Sequence, residues 1–123
     1  MKIGVLFSRM RVEEKWIFAN LDRRGLAYDR IDDRQIGLNL TEPGRWQEYS
    51  VVLERSLSYK NGLYTTQVLN SWGIPTVNMA QVAATCGDKL ATSAALVKAN
   101  IPQPHVWVAF TPEAALEIMD TVG

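Results

Sequence analysis

The chain has 123 residues, room for one domain and part of another, and 47% of them are apolar, enough for a real core. Thirteen basic residues balance thirteen acidic ones, so net charge selects neither nucleic acid nor an anionic membrane. One cysteine, Cys86, excludes an internal disulfide, and one histidine, His105, leaves no paired-histidine metal motif.

The chain opens directly into a strand. Ile3 to Phe7 is a short apolar run with β-branched members, the pattern of a strand buried on both faces. No signal-peptide pattern precedes it, and no apolar run approaches the ~20 residues of a membrane span, so a cytoplasmic protein is expected. Helix one is predicted from Val12 to Arg24, with Val12, Ile17 and Leu21, and Trp16 and Phe18 beside them, as its apolar side. Gly25 stops it. Leu26 to Ile31 reads as a second strand, and Asp32-Asp33-Arg34 opens a polar segment through Gly37, Thr41, Pro43 and Gly44. Tyr49 to Leu53 is the third strand, followed by a helix from Lys60 to Trp72 with Leu63, Val68 and Trp72 on one stripe.

Gly73 ends that helix, Ile74 to Asn78 is a short fourth strand, and Met79 to Thr85 a brief helix. Asp88 is a suitable N-cap for a helix over residues 89–99, whose Leu90, Ala94 and Val97 share a face. Asn100 can close it in a left-handed conformation, and Pro102 cannot continue it. His105 to Phe110 has strand propensity and alternation, and Thr111-Pro112 starts a last helix through Ala114 to Thr121. The order is β-α-β-(loop)-β-α-β-α-α-β-α. That alternation predicts an α/β fold, a parallel sheet with helices on both faces.

Ligands of such sheets bind beyond the carboxyl ends of the strands. Those ends carry Ser8-Arg9-Met10-Arg11, Asp32-Asp33, Glu54-Arg55-Ser56 and Asn78. No glycine stands in residues 8–13, so a dinucleotide fingerprint and a P-loop both fail. A phosphoacceptor site would need acids where Ser8-Arg9 stand. Arg9, Arg11, Arg55 and Ser56 are candidate contacts to a substrate or anion, since arginine captures carboxylates in a bidentate grip. Glu13, Glu54 and solvent could equally satisfy the three arginines. Asp32-Asp33 reads as a turn held by local side-chain-to-backbone bonds. Lys89, at the first turn of a helix, is either a phosphate contact or a solvated surface lysine.

The strings Leu53-Glu54-Arg55-Ser56, Gly73-Ile74-Pro75-Thr76-Val77-Asn78, Cys86-Gly87-Asp88-Lys89-Leu90-Ala91-Thr92-Ser93 and Ile101-Pro102-Gln103-Pro104 resemble the N-terminal part of the RimK-type ATP-grasp ligases. Within them the chain is most similar to the LysX group, which joins α-aminoadipate to the carrier protein LysW in lysine biosynthesis. Phe7 to Glu14 also resembles that group's start. The resemblance implies a preATP-grasp (Rossmann-like) domain over residues 1–85 and the first elements of an ATP-grasp central domain over 86–123. It implies ATP and Mg²⁺ as cofactors and LysW and an acidic amino acid as partners of the full-length enzyme. Through the Asp-Lys pair it implies that Lys89 reaches the ATP phosphates.

The second ATP lysine, the glycine-rich loop and the acidic Mg²⁺ ligands of that fold are not among these residues. The expectation is therefore a piece of a ligase that is inert alone and carries no catalytic or metal-binding residue. A strand at 105–110 left without a neighbour would template another chain, so a homo-oligomer through residues 89–123 is expected. The rival reading is a free-standing α/β binding or scaffolding module without catalysis.

Overall fold

The computed structural model describes all 123 residues, and the chain falls into two compact units, Met1–Ala84 and Thr85–Gly123. In the first unit β1 (Lys2–Phe7) is followed by α1 (Val12–Arg23), β2 (Ala27–Asp32), a 3-10 turn at Gly44–Glu48, β3 (Val51–Arg55), α2 (Tyr59–Ser71) and β4 (Thr76–Val77). Next come α3 (Ala80–Gly87), α4 (Lys89–Lys98) and α5 (Pro112–Val122). The four strands make one parallel sheet in the order β2-β1-β3-β4.

Alternation along β1 divides the core into two layers, as a doubly covered parallel sheet requires. Ile3 and Val5 meet Phe18 and Leu21 of α1, with Val51 and Leu53 packed beside them. Leu6 and Val52 point the other way and meet Leu69 of α2, together with Ile31, Trp46, Tyr49 and Ile74. The sheet is therefore covered on both faces, as predicted.

Glycine places the helix ends. Gly25 and Gly73 both adopt positive φ, and the residue after each returns a hydrogen bond into the last turn, Leu26 N–H to the Leu21 carbonyl and Ile74 N–H to the Leu69 carbonyl.

The buried faces differ from the predicted ones. On α1, Val12 and Trp16 are exposed, and Glu14 is buried together with Phe18 and Leu21. On α2 the inward face is Gly62, Thr65, Thr66 and Leu69, while Leu63, Val68 and Trp72 are half-buried. Thr66 Oγ1 is satisfied by the Gly62 and Leu63 carbonyls, which makes a buried threonine acceptable there.

In the second unit Asp88 caps α4 by accepting from the Ala91 N–H, and Thr111 caps α5 by accepting from the Ala114 N–H, with Pro112 at the first turn. Asn100 is left-handed, with φ of 54°. The predicted strand His105–Phe110 does not form: residues 101–109 have no regular structure, and Phe110 is 93% exposed. A strand exists only by pairing, and this unit otherwise contains helices, so strand propensity has nothing to act on. The shared face of Leu90, Ala94 and Val97 is likewise exposed, and the half-buried residues of α4 are Ala91, Thr92, Ser93 and Leu96 instead.

Candidate functional site at the carboxyl ends of β1 and β3

Strand order reverses between β1 and β3, and the crevice beyond such a switch point is where open α/β sheets hold ligands. Ser8, Arg9 and Arg11 follow β1 there, Asp33 follows β2, and Arg55, Ser56 and Leu57 come from the end of β3.

The organising group is Glu14, which the sequence reading did not single out. Its side chain is fully buried. Oε2 accepts from the Arg11 backbone N–H at 3.1 Å, the backward half of a capping box, and from Arg11 Nε at 2.9 Å. Oε1 accepts from an Arg11 Nη at 2.7 Å and from Arg55 Nε at 3.0 Å. The Arg11 guanidinium foremost, then Arg55 and the Arg11 backbone N–H, hold the carboxyl down to about 2 against burial, which pushes the other way. A capping-box glutamate three residues after the cap was the signal available for it.

Arg11 and Arg55 are thus brought together on one carboxylate, and neither forms a salt bridge with Glu13 or Glu54. Each is about one-third exposed and keeps N–H donors that Glu14 does not use. Arg9 is exposed and takes no part in an ion pair. Two guanidiniums share one carboxylate here, and Arg9 stands exposed on the same loop as Arg11.

Beside this cluster Ser8 bridges the other loops. Its Oγ donates to Asp33 Oδ2 at 2.7 Å and accepts from the Leu57 N–H at 2.9 Å. Asp33 is buried and reaches across the sheet, unlike its predicted local role. Asp32 does behave as a turn residue, accepting from the Arg34 N–H and guanidinium. Asp33 Oδ1 and Ser56 Oγ are buried without a hydrogen-bond partner. Glu54 is turned back on its own loop, its carboxylate accepting from the Ser56 N–H at 2.6 Å.

Lys89 lies in the second unit as the first residue of α4, exposed and without an ion pair. It can offer one cation to a phosphate. No three His, Cys, Asp or Glu side chains converge in this chain into a metal-binding group.

The family model described as the LysX preATP-grasp domain matches residues 3–85. A glutamate–LysW ligase, ArgX, from Sulfolobus acidocaldarius is 33% identical over 124 residues, covering 100% of this chain and 43% of that protein. An α-aminoadipate–LysW ligase, LysX, from the same organism is 29% identical over 120 residues, covering 93% of this chain and 42% of that protein. The chain therefore spans less than half the length of these relatives. The crystal structure of a RimK domain ATP-grasp protein from Sphaerobacter thermophilus superposes with a TM-score of 0.84 at 24% identity. It covers 100% of this chain and 46% of that one, a likeness of fold.

Proposed function

The chain belongs to the LysX preATP-grasp domain family, and on that premise we propose that it is the N-terminal region of an ATP-dependent carboxylate–amine ligase. The reaction class is activation of a carboxylate as an acyl-phosphate, followed by attack of an amine on the acyl carbon, loss of phosphate and formation of an amide. The carrier partner is LysW and the small substrate an acidic amino acid, since the relatives are named for glutamate and for α-aminoadipate.

The observation that carries this reading is the pair of guanidiniums pinned on buried Glu14 at the mouth of the sheet. A pinned guanidinium loses little further freedom on meeting a carboxylate, and both substrates are dicarboxylates. Arg9, Arg11 and Arg55 would draw the acidic substrate in, and Ser56, whose hydroxyl is buried and unpaired, would supply one more contact once its side chain turns toward the crevice. Lys89 would meet the ATP phosphates in the full-length enzyme, where ATP supplies the phosphoryl group. The residues that hold Mg²⁺ lie outside this chain, and the 123 residues alone are inert.

The test is mass spectrometry of LysW incubated with the full-length ligase, Mg·ATP and glutamate or α-aminoadipate. A LysW adduct with either amino acid, weakened by Arg55→Ala, is the expected result; no adduct with either sinks the reading. Calorimetric titration of the 123-residue chain with Mg·ATP is expected to give no detectable heat. Micromolar binding, about −8 kcal/mol, would overturn the claim of inertness and favour a self-sufficient nucleotide-binding domain.

A further inference from the structure

Along α1, Glu13, Trp16, Ile17, Asn20, Leu21 and the capping Arg24 recur at the spacing of one helical face and border a single shallow cavity of about 630 Å³. Leu26 and Arg55 complete its rim. The lining is largely apolar, and Trp16 stands in it 66% exposed. An exposed tryptophan beside an apolar groove is the composition of an interface anchor.

The order of the residues says what occupies the groove. Turned end for end about the midpoint between Phe18 and Ala19, the stripe maps onto itself: Glu13 falls on Arg24, Trp16 on Leu21 and Ile17 on Asn20. Glu13 and Arg24 are three turns apart, about 16 Å along the axis. Neither makes a salt bridge within one copy. Asn20, at the centre, already gives its amide N–H to the Trp16 carbonyl, so covering it strands no donor on that bond. Opposite charges at the two ends of an apolar stripe are complementary to the same stripe running the other way. That is the requirement of an isologous two-fold contact.

We propose that two copies of this chain pair through α1, antiparallel about a two-fold axis, with the Trp16 of each seated in the α1 groove of the other. Each end of the pair then sets Glu13 against the partner's Arg24. This surface lies in the first unit and is distinct from the 89–123 segment considered above.

Sedimentation equilibrium of the 123-residue chain tests it, with circular dichroism confirming that each variant is folded. Wild type is expected to be a dimer at about 100 μM. Glu13→Arg and Arg24→Glu, each of which sets like charges together at both ends, are expected to weaken it at least about tenfold. The double variant Glu13→Arg/Arg24→Glu restores opposite charges and is expected to restore the dimer, a recovery that mere surface damage would not produce. Trp16→Glu is expected to give a monomer. A monomeric wild type, single variants that dimerise normally, or a double variant weaker than both singles would overturn the proposal. So would a dimer that survives all these changes and is lost on Val108→Lys, which would place the contact in residues 89–123.

Discussion

Glu14 Oε1 accepts from Arg55 Nε at 3.0 Å, tying the first turn of α1 to the end of β3 across 41 residues of sequence. The same carboxylate orders Arg11, so one buried acid determines where two cations stand. Replacing it by Gln keeps the shape and removes the charge. Glu14→Gln is expected to cost about 1–3 kcal/mol in urea unfolding at pH 7. The lower part of that range applies if the arginines, both partly exposed, turn out to water.

The pH dependence follows from the depressed carboxyl. The folded value of about 2 lies below the ordinary 4.5, so protons bind the unfolded chain first. The stability contributed by ionised Glu14 is complete above the ordinary value and is lost as pH falls from about 4.5 towards about 2. The stability gap between wild type and Glu14→Gln should therefore close over that window. A gap that stays constant down to pH 2 would mean the carboxylate is not held by its arginines.

Much of the fold was readable because punctuation acts locally. Asp88, Thr111, Gly25, Gly73 and Asn100 each do in the structure what their chemistry predicts. Burial was harder to read. A periodicity argument prefers Trp16 to Glu14 on the inward face, because it weighs hydrophobicity and cannot see an arginine arriving from β3. Asp33 was hidden for the same reason, since its partner Ser8 lies 25 residues earlier. The strand at 105–110 failed from the opposite side: its propensity was local, and what it needed was a neighbour.

Tyr49 gives an alkaline counterpart to Glu14. Its hydroxyl donates to Asp29 Oδ2 at 2.7 Å, and burial first, then that hydrogen bond, push its pKa up to about 12. The folded value lies above the ordinary 10, so the stability from the neutral phenol is complete below 10 and is lost as pH rises towards 12. Tyr49→Phe is expected to cost about 1 kcal/mol at neutral pH and to flatten this alkaline limb. Wild-type denaturation that tracks Tyr49→Phe above pH 10 would contradict the assignment.

At Gly62 helix propensity and the β3 loop oppose each other. A Cβ there would lie 2.5 Å from the Glu54 Oε1 and 2.9 Å from its Cδ. Glu54 must swing away and release the Ser56 N–H, while alanine in a helix gains about 1 kcal/mol over glycine. Gly62→Ala is expected to be neutral or mildly destabilising alone and stabilising by about 0.5–1 kcal/mol in a Glu54→Ala background. Equal effects in both backgrounds would show that Glu54 does not occupy that space.

Ser8 and Asp33 test the second half of the crevice. Asp33 is buried with Oδ1 unpaired, so the Ser8 hydroxyl is the one side-chain donor its carboxylate has. Ser8→Ala leaves both oxygens without one, and it also frees the Leu57 N–H, which solvent can satisfy at that exposed position. The expected cost is about 1–3 kcal/mol. Asp33→Ala also destabilises, by leaving a cavity and idling the hydroxyl. Once Asp33 is gone, however, Ser8→Ala removes a donor with nothing buried to serve. The double variant should therefore be more stable than the sum of the singles predicts, by about 0.5–3 kcal/mol. Strict additivity would mean that the Ser8–Asp33 hydrogen bond contributes nothing, and the bridge between β1 and the β2 loop would have to be sought in packing.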